Sequence, residues 1–290
     1  MTSKVYVVTG SNKGIGFAIV RALCKQNDGI VYLTARDEGR GLNSVEALKK
    51  EGLNPNFHQL DIESVDSIIT FRDYLKSTHG GIDVLVNNAA IAFKNNATEP
   101  FSEQAEVSCR VNFFATMKFC DELLPLLRPH GRVVNVSSSA GYLKRINGKA
   151  PESLELQKKF ADPKLTRDTL VSLVNDFVQS SKTNIHTSKG WPNSAYSVSK
   201  VAVSALSRIQ QREMDETRPD DDILVNHVHP GYVDTDMTSH KGHLTIDQGA
   251  DAPSWLALLA PNTPSNPKGA YVWYDRRIVD WVDGLDPGAY

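Results

Sequence analysis

Tyr196 and Lys200 stand four residues apart in the run Tyr196-Ser197-Val198-Ser199-Lys200. On a helix, residues at that spacing share a face. An ammonium beside a phenol lowers the phenol's pKa from about 10 toward neutral pH, which makes it a usable general acid. The matching chemistry is protonation of a carbonyl oxygen as its carbon gains a hydride. Y-x-x-x-K alone also describes an exposed tyrosine and a solvated lysine, so its company decides. Ser138 lies just past an apolar run, and Asn112 lies among Val111, Phe113 and Phe114. Taken singly, the first reads as a turn cap and the second as a satisfied core amide.

A second constellation is the turn Thr9-Gly10-Ser11-Asn12-Lys13-Gly14-Ile15-Gly16, directly after the first apolar run. Glycines between a strand and a helix permit a tight turn, close approach of backbone to a pyrophosphate, and close helix–strand packing. The spacing is G-x-x-x-G-x-G, and a glycine triplet by itself also marks an ordinary turn. The nucleotide type is read at the end of the second strand, where NAD enzymes place an acid for the ribose 2′-hydroxyl. Here Ala35 stands at that place, followed by Arg36, with Lys13 and Arg40 as further cations. Guanidinium and ammonium groups suit a 2′-phosphate, which points to NADP, although Asp37 beside Arg36 argues the other way. Asp61 after the third strand and Asn88 after the fourth are candidates for the adenine and ribose.

These residues need a scaffold, and the hydrophobic rhythm supplies one. Strands are expected at Val5 to Thr9, Ile30 to Ala35, Phe57 to Leu60, Asp83 to Asn87, Arg132 to Ser137, Ile223 to Val228 and Tyr271 to Tyr274. Helices are expected at Ile15 to Lys25, Ser44 to Lys50, Ile68 to Ser77, Glu103 to Leu127, Ser194 to Glu216 and Gly249 to Leu259. Apolar strands alternating with helices imply an α/β fold, a doubly wound parallel sheet of Rossmann type in three layers, with its crevice at the carboxyl ends of the strands. Residues from about 140 to 190 break the rhythm with charged, helix-like stretches and no buried strand. The whole chain, 1–290, is therefore read as one domain carrying a helical insertion.

Composition narrows the class. Lys and Arg number 32 against 34 Asp and Glu, a net charge of −2, so no basic field invites nucleic acid. No run approaches the ~20 apolar residues of a membrane helix. The first strand is entered by Val5, which leaves no room for a signal peptide, and Cys24, Cys109 and Cys120 suit small buried residues in a reducing compartment. A cytoplasmic protein is expected. His227 and His229 alternate on a strand without an evident third ligand, so no metal site is expected.

Taken together, the chain resembles the short-chain dehydrogenase/reductase family, and within it the NADPH-dependent carbonyl reductases. Thr9 to Gly16, Asn87-Asn88-Ala89, Asn112, Ser138, Tyr196-x-x-x-Lys200 and Pro230-Gly231 occur in the family's order. Leu33 to Asp37, Phe57 to Ile62, Gln104 to Val107 and Gly190-Trp191-Pro192 strengthen the closer match.

The resemblance implies that Tyr196 donates the proton, that Lys200 lowers its pKa and binds the nicotinamide ribose, that Ser138 hydrogen-bonds the substrate carbonyl, and that Asn112 holds a relay water. It implies cofactor contacts from Gly10, Asn12, Lys13, Gly14, Ile15, Gly16, Arg36, Arg40, Asp61, Ile62, Asn88, Pro230, Gly231, Val233 and Thr235. Ala140, Tyr232 and Met237, with Ser138, are the expected substrate contacts, on a loop from Tyr232 to Leu244. An insertion laid over the tyrosine helix would block the pairing seen in relatives, so a monomer acting on small carbonyl compounds is expected. Ala90 stands where the family usually has glycine, and is strained if that position needs positive φ. His229 lies in a segment where some relatives carry cysteine. The competing functions are a dehydrogenase dedicated to one alcohol or steroid, and a non-catalytic NADP-binding or structural protein. The sequence assigns no role to residues 281–290.

Overall fold

The computed structural model describes residues 3–284 except 27 and 95. Strand β1 (Val5–Val8) leads into helix α1 (Gly14–Gln26), β2 (Ile30–Ala35) into α2 (Glu38–Lys50), β3 (Asn56–Gln59) into α3 (Val65–His79), and β4 (Ile82–Asn87) into α4 (Phe101–Cys109). A π-helical turn, Arg110–Ala115, joins α4 to α5 (Thr116–Leu123), and β5 (Leu127–Val136) follows. Beyond it lie α6 (Glu152–Ala161), α7 (Arg167–Lys182), α8 (Ala195–Thr217), β6 (Leu224–Val228), α9 (Ile246–Ala257), β7 (Tyr271–Val272) and β8 (Ile278–Val279).

The strands form one sheet in the order β3-β2-β1-β4-β5-β6-β7-β8. The first seven are parallel, and β8 runs antiparallel to β7 at the edge. The order reverses between β1 and β4, and that reversal opens the crevice of a doubly wound sheet. Apolar side chains of α1, α2 and α9 cover one face, with Ile19, Leu48 and Leu256 buried. Phe71 of α3 and Phe119 of α5 cover part of the other. Beside them α4, α7 and α8 share a third cluster.

The insertion is α6 and α7, and it packs on α8. Phe160, Val174, Phe177 and Trp191 are buried against Val198, Val201, Ala202 and Ala205. Each buried aromatic or aliphatic side chain contributes roughly 1.5–3 kcal/mol, so this face of α8 is firmly covered.

Several expected boundaries moved, each for a local reason. Helix α2 starts at Glu38 rather than Ser44 because the Asp37 carboxylate caps it, accepting from the Arg40 amide at 2.8 Å. Helix α9 starts at Ile246 because Thr245 and Gln248 form a capping box. The helix expected from Glu103 to Leu127 is broken into α4, the π turn and α5, ending in a short 3-10 turn at Leu124–Leu126. Strand β5 then starts at Leu127, ahead of Pro129, with a register irregularity between Ile82 and Val84 of its partner β4. The expected last strand is shortened to Tyr271–Val272, and β8 was not anticipated. Among the described residues no helix is long and apolar enough to cross a membrane.

Candidate active site

A cleft of about 1180 Å³ lies outside the carboxyl ends of β4, β5 and β6. It exceeds the ~300–1,000 Å³ of a typical small-molecule site and has room for a second molecule beside a first. Ser138, Tyr196 and Lys200 all line it, as do Ile15, Asn88, Ala140, Pro230, Gly231, Tyr232, Val233, Thr235 and Met237. Sequence positions from every third of the chain therefore meet in one place.

Helix α8 carries Tyr196 and Lys200 in its first two turns, after the Ser194 side chain caps the helix by accepting from the Ser197 amide. Its placement on the sheet is set by buried polar pairs. Ser137 of the segment leaving β5 meets Ser204 at 2.8 Å, and Asn135 donates to Ser207 at 2.8 Å and to Gln210 at 3.0 Å. Asn87 of β4 donates in turn to Asn135 at 2.7 Å. Buried polar groups are costly unless paired, so these contacts resist sliding of α8 along β5 and hold Tyr196 and Lys200 opposite Ser138.

Lys200 is 3% exposed, and its ammonium donates to the Val136 carbonyl at 2.9 Å. Burial pushes its pKa down to about 8. Its Nζ lies 5.8 Å from the centre of the Tyr196 ring. The Tyr196 phenol is shifted upward by burial, with a hydrogen bond to Ser138 acting in the opposite direction. This differs from the expected depression by Lys200: desolvation of both groups outweighs their proximity. Ser138 begins a 3-10 turn, Ser139–Gly141, and its Oγ accepts from the Ala140 amide at 3.1 Å. That bond uses an acceptor lone pair and leaves the hydroxyl proton available to donate. The Ser138 side chain thus caps this turn, as the simpler reading has it.

Asn112 sits in the π turn, behind the cleft wall. Its Oδ1 accepts from the Ile91 amide at 2.8 Å, and its Nδ2 donates to the Ile91 carbonyl at 3.0 Å and to Ser199 Oγ at 3.0 Å. The side chain thus ties the loop after β4 to α8, with both amide protons engaged. A π turn offsets the i→i−4 ladder and frees a backbone carbonyl locally.

The glycine turn has the shape a phosphate cradle needs. Gly10 has φ +59°, and a Cβ there would lie 2.8 Å from Ala89 Cα. At Gly16 a Cβ would lie 2.4 Å from Asn88 Nδ2. That amide donates to the Thr9 and Gly10 carbonyls, both at 3.0 Å. Asn88 therefore braces the turn as well as lining the cleft. Ser44 Oγ donates to the Asn12 carbonyl at 2.7 Å, which joins the turn to the middle of α2. Ala90 does not have positive φ, so its methyl group sits unstrained on the cleft wall.

Just past the end of β2, Arg36 is exposed and among the described residues its guanidinium has no ion-pair partner. Its carbonyl accepts from Gln59 Nε2 at 3.0 Å. Asp37 is occupied as the α2 cap and also lies 3.8 Å from Arg40. Asp61 begins the loop after β3, where its carboxylate accepts from the Glu63 amide at 3.0 Å, and Ile62 beside it is buried. Lys13 pairs with Asp236 of the loop after β6 at 2.6 Å.

Phe93 and Phe101, which belong to none of the sequence motifs, line the cleft from the loop after β4 and the start of α4. Two aromatics in a stretch between helix and strand were the available signal. The polar clamp of Asn135, Ser204, Ser207 and Gln210 was also missed, since buried and exposed polar residues look alike in sequence. Cys109 and Cys120 are buried, and burial raises all three thiols. His227 and His229 are buried rather than clustered with acids, and burial lowers both to about 3.

The geometry agrees with what the chain is similar to. A family model described as short chain dehydrogenase matches residues 4–150 and 178–244. The gap, residues 151–177, falls on α6 and the first three turns of α7, the insertion. Carbonyl reductase [NADPH] 1 of Bos taurus is 49% identical over 277 residues, covering 96% of this chain and 98% of the relative. Carbonyl reductase [NADPH] 3 of Rattus norvegicus is 50% identical over 279 residues, covering 96% and 99%. Among solved structures, salutaridine reductase from Papaver somniferum superposes with a TM-score of 0.79 at 30% identity, covering 94% of this chain and 99% of that one. Menthone neomenthol reductase from Mentha piperita gives 0.77 at 27% identity, with the same coverage. The chain belongs to the short-chain dehydrogenase family.

Proposed function

We propose that this protein is an NADPH-dependent carbonyl reductase acting on ketones, aldehydes and quinones. The observation that carries the reading is the convergence of Ser138, Tyr196 and Lys200 on one cleft, while at the end of β2 Ala35 and Arg36, which has no ion-pair partner among the described residues, stand in place of the acid that would favour NAD. The near-half identity to carbonyl reductases named for NADPH, over almost the whole of both chains, supports the same cofactor and reaction.

NADPH, when bound, supplies the hydride. Gly10, Asn12, Gly14, Ile15 and Gly16 would hold its pyrophosphate side, and Lys13, Arg36 and Arg40 its 2′-phosphate. Asp61, Ile62 and Asn88 would bind the adenosine part, and Pro230, Gly231, Val233 and Thr235 the nicotinamide part. Ser138 Oγ donates to the substrate oxygen and orients it. Tyr196 Oη then gives its proton to that oxygen. An alkoxide is a far stronger base than a phenolate, so the transfer runs downhill although burial holds the phenol's pKa high. Lys200 anchors the nicotinamide ribose, and its charge eases the departure of the phenol proton. Asn112 holds the π turn so that a backbone carbonyl can seat a relay water. Phe93, Phe101, Tyr232 and Met237 give the cleft an apolar, largely aromatic wall, which favours flat aromatic carbonyls and quinones.

The protein is further read as a single-domain monomer of the cytoplasm. The apolar cover of α6 and α7 on α8 supports the first part, and three free thiols suit a reducing compartment.

The test is loss of nicotinamide absorbance with a simple quinone, using NADPH and NADH side by side. Turnover favouring NADPH is expected. Tight NADPH binding without turnover of any quinone, aldehyde or ketone would replace this reading by a narrow alcohol dehydrogenase or a non-catalytic binder.

A further inference from the structure

The turn that carries Ser138 is gripped by three ring side chains from the last third of the chain. Tyr271 Oη of β7 donates to the Ser138 carbonyl at 2.5 Å. His229 Nδ1 accepts from the Ser139 amide at 2.9 Å. Trp281 Nε1 donates to the Gly141 carbonyl at 2.7 Å. All three rings are at most 4% exposed, and they are packed against one another through a common stack. His227 lies on Tyr271 with centroids 4.9 Å apart and planes 13° apart, His229 meets Trp273 at 4.4 Å, and Trp273 meets Tyr271 edge-on at 5.8 Å.

We propose that His229, Tyr271 and Trp281 are positioning residues that aim the Ser138 hydroxyl at the substrate carbonyl. Each holds a different backbone group of one short turn, so together they fix its rotation as well as its position. A 3-10 turn has poor hydrogen-bond geometry of its own and is readily reshaped, and a displacement near 1 Å at a reacting centre can cost on the order of 100-fold. His229 has the most specific part. Because its Nδ1 accepts from an amide, the ring proton resides on Nε2, and since burial keeps the ring neutral, this acceptor persists through the working pH range. The clamp also gives Trp281, and so the start of the segment to which the sequence assigned no role, a place in the site; residues 285–290 lie outside the described residues.

This inference rests on the reading of Ser138 as the substrate's hydrogen-bond donor, and the test separates the two. His229→Phe keeps a stacking ring and removes the acceptor; His229→Asn restores an acceptor near the same place. The measurements are quinone turnover and NADPH affinity by nucleotide fluorescence, in the intact chain and in a Ser138→Ala background. The expected result is a fall in kcat on the order of 10- to 100-fold for His229→Phe, with NADPH affinity within about twofold of the parent and partial rescue in His229→Asn. In the Ser138→Ala background the same substitution should cost little more, since the group it aims is gone. Tyr271→Phe, which keeps the ring and loses the donor, should behave in the same way should His229→Phe fail to fold. A full loss in both backgrounds, or no loss in either variant, would overturn the clamp. A Ser138→Ala enzyme with unchanged kcat would instead overturn the role of Ser138 itself.

Discussion

Lys13 and Asp236, 223 residues apart, form an ion pair with Nζ 2.6 Å from Oδ2. The pair joins the glycine turn to the loop after β6, and His240 bridges Asp236 to Asp234 on the same loop at 3.1 and 2.7 Å. In the proposed complex the 2′-phosphate would compete with Asp236 for Lys13. Asp236→Asn should therefore tighten NADPH by roughly two- to fivefold, the range of one exposed ion pair, and leave NADH almost unchanged. Fluorescence titration with both nucleotides checks this. Weaker NADPH binding would mean that Asp236 helps to hold Lys13 in its working position.

Arg36 offers the complementary case, since no partner among the described residues competes for it. Arg36→Ala should raise the KM for NADPH by about one to two orders of magnitude, as expected for losing a charge-assisted contact worth ~1.5–3 kcal/mol. NADH kinetics should hardly move. Equal losses for both cofactors would remove Arg36 from the 2′-phosphate site.

Tyr196→Phe should lower kcat by a factor of 100 or more, the usual range for losing a general acid, while NADPH still binds. A mutant keeping most of its turnover would refute the proton-donor role. Lys200→Met should impair both readouts, because Lys200 is assigned to the cofactor ribose as well as to the proton's departure.

His227 is fully buried, and among the described residues neither ring nitrogen has a hydrogen-bond partner. Its pKa is lowered from 6.5 to about 3, first by burial and then by Arg208. Below pH 6.5 the unfolded chain therefore binds a proton that the folded chain refuses, and stability falls as pH falls from 6.5 toward 3. His227→Phe keeps the stack on Tyr271 and cannot titrate. It should stabilise the protein by about 1 kcal/mol at pH 7 through removal of unpaired polar atoms. The advantage should grow by about 1.4 kcal/mol per unit as pH drops through that window. Denaturant melts at pH 7 and pH 5 measure both effects, and a gap that stays constant with pH would show that His227 is not refused its proton.

Phe177 of α7 is buried and packs near Trp191 with ring centres 5.5 Å apart. Phe177→Ala should cost about 3–5 kcal/mol and loosen the insertion from α8. Sedimentation should give a monomer of 32.0 kDa for the parent protein. A stable parent dimer at micromolar concentration would show that the insertion does not cover the pairing face.

What the sequence determined by itself is what local pattern encodes. The alternation of apolar strands with helices, the glycine turn and the four-residue step from Tyr196 to Lys200 depend on neighbours within a turn or two, and each stands in the structure where its spacing put it. Even Ala35 and Arg36 could be read, because the end of a strand is a local event. The same locality sets the starts of α2 and α9 ahead of their apolar runs, since the caps at Asp37 and Thr245 are themselves local signals.

Only the tertiary structure decided how these parts bear on one another. The π turn at Asn112 serves contacts to Ile91 and Ser199, the latter 87 positions away. The seating of α8 depends on Asn135 and Ser137 finding Ser204, Ser207 and Gln210. The high pKa of Tyr196 and the low one of Lys200 come from burial, and no spacing rule contains the depth at which a side chain will lie. Lys13 with Asp236, and the rings around the Ser138 turn, are pairings of residues distant in the chain. Their energies come from desolvation and geometry that exist only after the sheet has closed its layers.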